Sequence, residues 1–154
     1  MRVVAIDPGL TGAIGCLVDG KFAGVVDMPV GGNRVDASAL ANIIEAFDPD
    51  VVVVEDTQPM PKNGSIASFS LGLSTGIALG VASTLGHPVA RIKPSDWKKK
   101  AGLTGKDKKA SIHLARELWP TSRSFLERVK DADRAEALLI ARAYIINYVQ
   151  EANA

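Results

Sequence analysis

The sequence predicts an α/β fold: a mixed five-stranded sheet, three antiparallel strands followed by parallel ones, flanked by helices. Three observations carry this expectation. Two short apolar runs, residues 3–6 and 51–54, are mostly β-branched, as buried strands are. Asp19-Gly20 lies between residues 13–18 and 21–28, a strong signal for a two-residue hairpin. Beyond the hairpin, strand-like runs alternate with stretches whose apolar residues recur at helical spacing, as at Leu40, Ile43, Ile44 and Phe47.

Taken in order, residues 3–6 form the first strand, and Pro8-Gly9 turns the chain after it. Residues 13–18 and 21–28 are the second and third strands, and Gly31-Gly32-Asn33 reads as a loop. Residues 37–47 form a helix stopped by Pro49. Residues 51–54, apolar on both faces, suit a central parallel strand. A breaker-rich loop, 58–64, leads into a long small-residue helix over 65–85. Its glycines at 72, 76 and 80 are expected to permit close packing, against a propensity cost of roughly 1 kcal/mol each. Most of its stripe of Phe69, Leu73, Ile77 and Val81 is expected in the core. Residues 88–92 are a short strand, 94–100 a helical turn, 102–105 a loop, and 106–119 a helix ended by Pro120. Residues 121–130 carry no clear signal. Residues 131–149 form the last helix, with Asp131 as its N-cap and acid in its first turn, where the helix dipole favours it. No repeat or linker divides residues 1–154, so they read as one domain.

Bulk properties narrow the function. With 47% hydrophobic and 23% charged residues, the chain has the composition of a globular protein. No apolar run approaches the roughly 20 residues of a membrane span, and the first residues enter a strand without room for a signal peptide. No membrane partner is therefore expected. Cys16 is alone, which excludes a disulfide framework and a cysteine-based zinc site and makes the cytoplasm the default compartment. A net charge of +1 gives no global pull toward nucleic acid. Residues 93–109, however, hold seven lysines and two aspartates, a local stripe suited to phosphate.

Acid at the ends of apolar segments is the chemical signal. Asp7 closes the first strand, Glu55 closes the 51–54 run, and Asp133 and Glu136 open the last helix on one face. Asp7 before Pro8-Gly9 has a bland alternative as a turn cap, and the helix pair as ordinary N-terminal electrostatics. Glu55 is harder to dismiss, because Glu55 and Asp56 face opposite sides of a covered sheet. Together, carboxylates near a core are costly unless paired or bound to metal. A hard cation such as Mg²⁺ takes such oxygen ligands, and two ions roughly 4 Å apart can activate water and stabilise a leaving oxygen in phosphodiester hydrolysis. His87 and His113 lie outside these clusters.

Ile6-Asp7-Pro8-Gly9, Val54-Glu55 and the run from Asp133 through Glu136-Ala137-Leu138 to Ile140-Ala141 resemble, in order and spacing, the RuvC family of Holliday-junction resolvases. The resemblance covers nearly the whole chain. It implies an RNase H-like fold and a homodimer that cleaves four-way junctions and other branched DNA with Mg²⁺, or Mn²⁺ in its place. It also implies Asp7 on the first strand, Glu55 on the fourth, and Asp133 and Glu136 on the last helix as catalytic metal ligands for two ions. Asp131 is the alternative third ligand, and the spacing to Glu136 favours Asp133. Pro94, Lys98, Gly102, Gly105 and Lys108 resemble the family's basic DNA-contacting stretch. Lys98 and Lys108 are its implied phosphate contacts, with Lys93 and Lys106 in the same lysine-rich stretch, while Lys62-Asn63 and the helix through Gly76 resemble the segment after the family's second acid. Two departures stand out. Glu136 occupies a position where bacterial members more often carry Asp. The segment Asp56 to Met60 lacks the family's aromatic, which leaves Met60 as an apolar wedge. The compact chain resembles the virus-encoded branch of the family, which acts on a broader range of branched DNA in an infected prokaryotic cell.

Other readings are a nuclease of the same fold that processes structured RNA, an actin-like ATPase using Asp7, Thr11 and Gly12, and a non-catalytic DNA-binding module. An ATPase needs a second lobe that 154 residues do not supply. A lapsed site would have little reason to retain four carboxylates, and the lysine stretch favours branched DNA over RNA. Trp97 can stack on a base or anchor its turn to the core; a lone Trp beside lysines more often does the latter.

Overall fold

The computed structural model describes residues 1–152; residues 153 and 154, the end of the expected domain, lie outside the described residues. Its main strands are β1 (Arg2–Asp7), β2 (Ala13–Val18), β3 (Lys21–Asp27), β6 (Val51–Glu55) and β7 (Val89–Ile92), arranged in space as β3-β2-β1-β6-β7. The first three pair antiparallel, whereas β6 and β7 run parallel to β1, which gives the expected mixed sheet. Asp19 and Gly20 turn the β2–β3 hairpin with φ of 50° and 76°, the left-handed pair that a type I′ turn requires. Where the sequence indicated only a loop, Gly32-Asn33 turns a short ladder of β4 (Val30–Gly31) against β5 (Arg34–Val35). The Glu55 strand is thus sixth along the chain and fourth of the main sheet.

Helices α1 (Ala37–Phe47) and α2 (Ser65–Thr84) belong to one layer, and α3 (Pro94–Ala101), α4 (Lys108–Leu118) and α5 (Ala132–Ala152) to the other. Asp36 caps α1 and Asp107 caps α4, each accepting from the backbone N–H three residues on. Residues 120–125 and 129–131, silent in the sequence, form short 3-10 turns. Alternation along the strands divides the core. Val3, Ala5, Val51 and Val53 pack with α3 to α5, and Val4, Ile6, Val52 and Val54 with α1 and α2. By the same parity, Asp7 and Glu55 emerge on the α5 side. Gly15 lets α5 approach β2, because a Cβ there would sit 3.0 Å from the Leu138 backbone nitrogen.

Four expectations about the helices are corrected. The buried face of α2 is Ser74, Thr75, Ala78 and Ala82, while Phe69 is 71% exposed and Leu73, Ile77 and Val81 are only partly buried. Small side chains let α2 lie on the sheet, and the larger ones fall to its flank. A Cβ at Gly72, Gly76 or Gly80 would meet nothing within 4 Å, so these glycines do not serve packing within this chain. By length and composition, α2 is also apolar enough to cross a membrane, contrary to the sequence reading. Here one of its faces packs against the sheet and α1. Finally, Asp131 does not cap α5. It ends the preceding 3-10 turn and turns its carboxylate back to Arg128, accepting from the backbone N–H at 2.7 Å and from the guanidinium.

Candidate active site

Four acids gather at one end of the sheet because three elements end or begin there. β1 delivers Asp7, its parallel neighbour β6 delivers Glu55, and the first two turns of α5 deliver Asp133 and Glu136. One carboxylate oxygen from each of Asp7, Asp133 and Glu136 lies within 4.8 Å of the others. Glu55 stands beside this trio rather than in it, close enough for its charge to act on Asp7. Asp131 is elsewhere, locked to Arg128.

Burial and mutual repulsion shape the electrostatics. Burial pushes the Asp7 carboxyl well above the usual 3.8, and the charges of Glu55, Asp133 and Glu136 push it further. Glu55 is raised by burial and by Glu136, against the hydrogen bond it accepts from Trp97. Glu136 is raised by burial first, against the opposing charges of Lys98 and Lys108. Four such groups held together without a cation carry an electrostatic cost, and oxygen donors at this spacing have the chemistry of a hard divalent cation site.

The lysines divide into two groups. Lys108 donates to Asp133 Oδ1 at 2.6 Å. Burial opposes its ammonium, but Asp133 and the charges of Glu136 and Asp7 raise its pKa overall. Lys98 lies with its Nζ 5.3 Å from the centroid of the Trp97 ring, and its charge acts on Glu55 and Glu136. The structure therefore draws Lys98 and Lys108 into the acidic site. Lys62 and Met60 lie exposed in the loop before α2, Lys93 precedes α3, and Lys106 lies in the α3–α4 loop.

Several supporting residues were not singled out as such in the sequence. Trp97 is fully buried and donates its indole N–H to Glu55 Oε1 at 2.6 Å, and Ser111 Oγ lies 3.3 Å from Glu136 Oε1. Arg134 clamps the start of α5 to β3, with Nε and an Nη donating to the two oxygens of Asp27 at 2.6 and 3.0 Å. Gly12 is required by the turn after β1, because a Cβ there would stand 2.0 Å from the Asp7 carbonyl oxygen. Asp56, on the opposite side from Glu55, pairs with Arg91. Gly12 had a sequence signal in its place in a short turn just after an acid, and Trp97 had one as a core anchor, which its full burial matches, but its bond to Glu55 had none.

No family model matches the chain. A Holliday junction resolvase, MOC1 of the Chlamydomonas reinhardtii chloroplast, is 40% identical over 89 residues, 57% of this chain but only 10% of that protein. The crossover junction endodeoxyribonuclease RuvC of Rhizobium rhizogenes is 30% identical over 159 aligned residues, covering 96% of this chain and 90% of its own length. Among solved structures, RuvC of T. thermophilus in complex with a Holliday junction substrate superposes with a TM-score of 0.74 at 18% identity, covering 97% of this chain and 96% of that one. That superposition establishes the RNase H-like fold, and the nearly full-length match to the Rhizobium enzyme establishes kinship. By its sequence, its fold and the acids gathered at the end of its sheet, the chain belongs to the RuvC family of crossover junction endodeoxyribonucleases.

Proposed function

We propose that this chain, acting as one nuclease domain over residues 1–154, is a metal-dependent endonuclease that hydrolyses phosphodiester bonds in Holliday junctions and other branched DNA. The observation that carries this reading is the convergence of Asp7, Asp133 and Glu136 within 4.8 Å, with Glu55 and two lysines beside them. Asp7, on which the charges of all three other acids act, would be the ligand common to two Mg²⁺ ions, or to Mn²⁺ in their place. Glu55 and Asp133 would complete the separate ligand sets, and Glu136 would hold metal directly or through water. Bound there, the cations supply Lewis-acid stabilisation of phosphoryl charge and a lowered pKa for the attacking water.

The chain's own groups do the rest. Lys98 and Lys108 bring positive charge to the phosphate flanking the scissile bond. Lys62, Lys93 and Lys106 extend that contact along the backbone, without sequence readout. Met60, 64% exposed, offers an apolar wedge where the strands part. A homodimer, needed to reach two symmetric strands, is supported by α2: its glycines at 72, 76 and 80 open onto free space. At Gly80 lies a mostly apolar cleft of about 340 Å³, lined also by Ala37, Ala41, Ile77, Val81, Thr84 and Leu85. Cys16, free and buried, suits the reducing cytoplasm, our proposed compartment.

Incubation with labelled four-way junction, fork, linear duplex and structured RNA, in Mg²⁺ and in Mn²⁺, tests the reading. Paired metal-dependent nicks in the junction are expected. Equal cutting of fork and junction would widen the substrate to branched DNA in general. Cutting of RNA alone would replace the DNA reading.

A further inference from the structure

The segment that carries the lysines also holds the acids. Between residues 97 and 111 it makes three polar links to the site: Trp97 to Glu55 at 2.6 Å, Lys108 to Asp133 at 2.6 Å, and Ser111 to Glu136 at 3.3 Å. The first differs from the others in kind. Trp97 is fully buried, so its ring direction is fixed by packing rather than chosen by solvent. The indole has a single donor and no acceptor, and here that donor is committed to a carboxylate. At 2.6 Å the bond is at the short, charge-assisted end of the range for N–H to carboxylate. The donor is neutral, so it orients Glu55 without adding a charge that would compete with a cation.

Glu55 needs such a partner. It is the last residue of β6, its side chain is long, and Asp7 and Glu136 repel it. Unrestrained, it would turn away from them. We propose that Trp97 is a positioning residue for the acidic site: its indole N–H fixes one oxygen of Glu55 and leaves the other to hold the cation. Because Trp97 sits within α3 beside Lys98, Lys99 and Lys100, the same bond ties a DNA-facing helix to a metal-holding carboxylate. This inference rests on the reading of Glu55 as a metal ligand. Trp119 supplies an internal control, since it is also buried and its indole donates at 2.9 Å, but to the Gly20 carbonyl.

Mn²⁺ binding to the full chain, followed by the loss of the free-ion electron paramagnetic resonance signal, tests the proposal without any turnover. Trp97→Phe keeps a ring and removes the donor, and loss of an outer partner of this type weakens metal binding roughly 10- to 100-fold. Trp119→Phe is expected to bind Mn²⁺ as the parent does. Wild-type binding by Trp97→Phe alongside weakened binding by Glu55→Gln would overturn the positioning role alone. Wild-type binding by Glu55→Gln would overturn the ligand reading and this inference with it. Should Trp97→Phe fail to fold, the two indole N–H resonances of the ¹⁵N-labelled parent, assigned with Trp119→Phe, give a second reading. Mg²⁺ is expected to shift the Trp97 resonance and leave that of Trp119 in place; a Trp97 resonance unmoved by saturating Mg²⁺ contradicts the proposal.

Discussion

Lys108 Nζ lies 2.6 Å from Asp133 Oδ1, so the first residue of α4 closes an acidic site built by β1, β6 and α5. Its charge favours the ionised forms of Asp7, Glu55 and Glu136 as well. The lysine side chain is 66% exposed on a flexible stem, so it can swing aside for a cation and meet phosphate instead. Replacing it tests both roles. Lys108→Gln and Lys98→Gln are each expected to weaken junction binding and to lower the slope of log affinity against log salt by roughly 0.7 to 0.9. Filter binding across a salt series measures it, and an unchanged slope would remove that lysine from the phosphate contacts.

Metal-free stability should depend on pH in a direction set by the acids. Asp7, Glu55 and Glu136 bind protons more tightly when folded than at their ordinary 3.8, 4.5 and 4.5. Their contribution is therefore fully present below those values and is lost as pH rises through the raised ones. Asp27 and Asp131 have the opposite sign. Burial opposes the Asp131 shift, but Arg128 holds that carboxyl below 3.8, and Arg134 does the same for Asp27. Their contribution is lost only as pH falls through the lowered values. In a chelator, Tm is expected to rise as pH falls from the alkaline side through the raised values of these three acids, and to fall again below about 3.8 as the Asp27 and Asp131 contributions are lost. Mg²⁺ should raise Tm most at the alkaline end.

Asp7→Asn should separate stability from function. It keeps the shape and removes the most strongly coupled charge in the site. In the absence of metal, Tm is expected to rise by about 2–4 °C, corresponding to roughly 1 kcal/mol in a domain of this size. Mg²⁺ should then add less to Tm than it adds to the parent, as differential scanning fluorimetry can show.

Two glycines should respond in opposite ways. Gly12→Ala forces a Cβ against the Asp7 carbonyl, and overpacking of this type costs about 1–3 kcal/mol while moving a ligand. Gly76→Ala faces open space inside a helix and is expected to stabilise the isolated chain by about 1 kcal/mol. Gly76→Arg should keep the fold and break the dimer, which sedimentation would report. A parent that sediments as a monomer at micromolar concentration would refute α2 as the dimer face.

Much of this was legible in the residues. The β-branched runs, Asp19-Gly20 and Pro49 located the sheet, the hairpin and the end of α1, because each signal is local. Strand alternation set Glu55 opposite Asp56, and the three-residue spacing of Asp133 and Glu136 placed them on one face of the last helix; that Asp7 and Glu55 share a face follows only from the parallel register of β1 and β6. What escaped the reading depends on tertiary contact. The burial of α2 through Ser74, Thr75, Ala78 and Ala82 inverts the rule that larger apolar residues face the core. Asp131 looked like a cap until Arg128 reached it. Lys108 read as a phosphate contact, and only the docking of α4 against α5 brings it to Asp133.

Cleavage of branched DNA by the acids joined through Asp7 is open to a direct test. The most direct measurement compares the parent with Asp7→Asn on one labelled four-way junction in Mg²⁺, scoring binding and cleavage on the same samples. Both proteins are expected to bind the junction, and only the parent to leave paired nicks. Equal cleavage by Asp7→Asn would contradict that expectation.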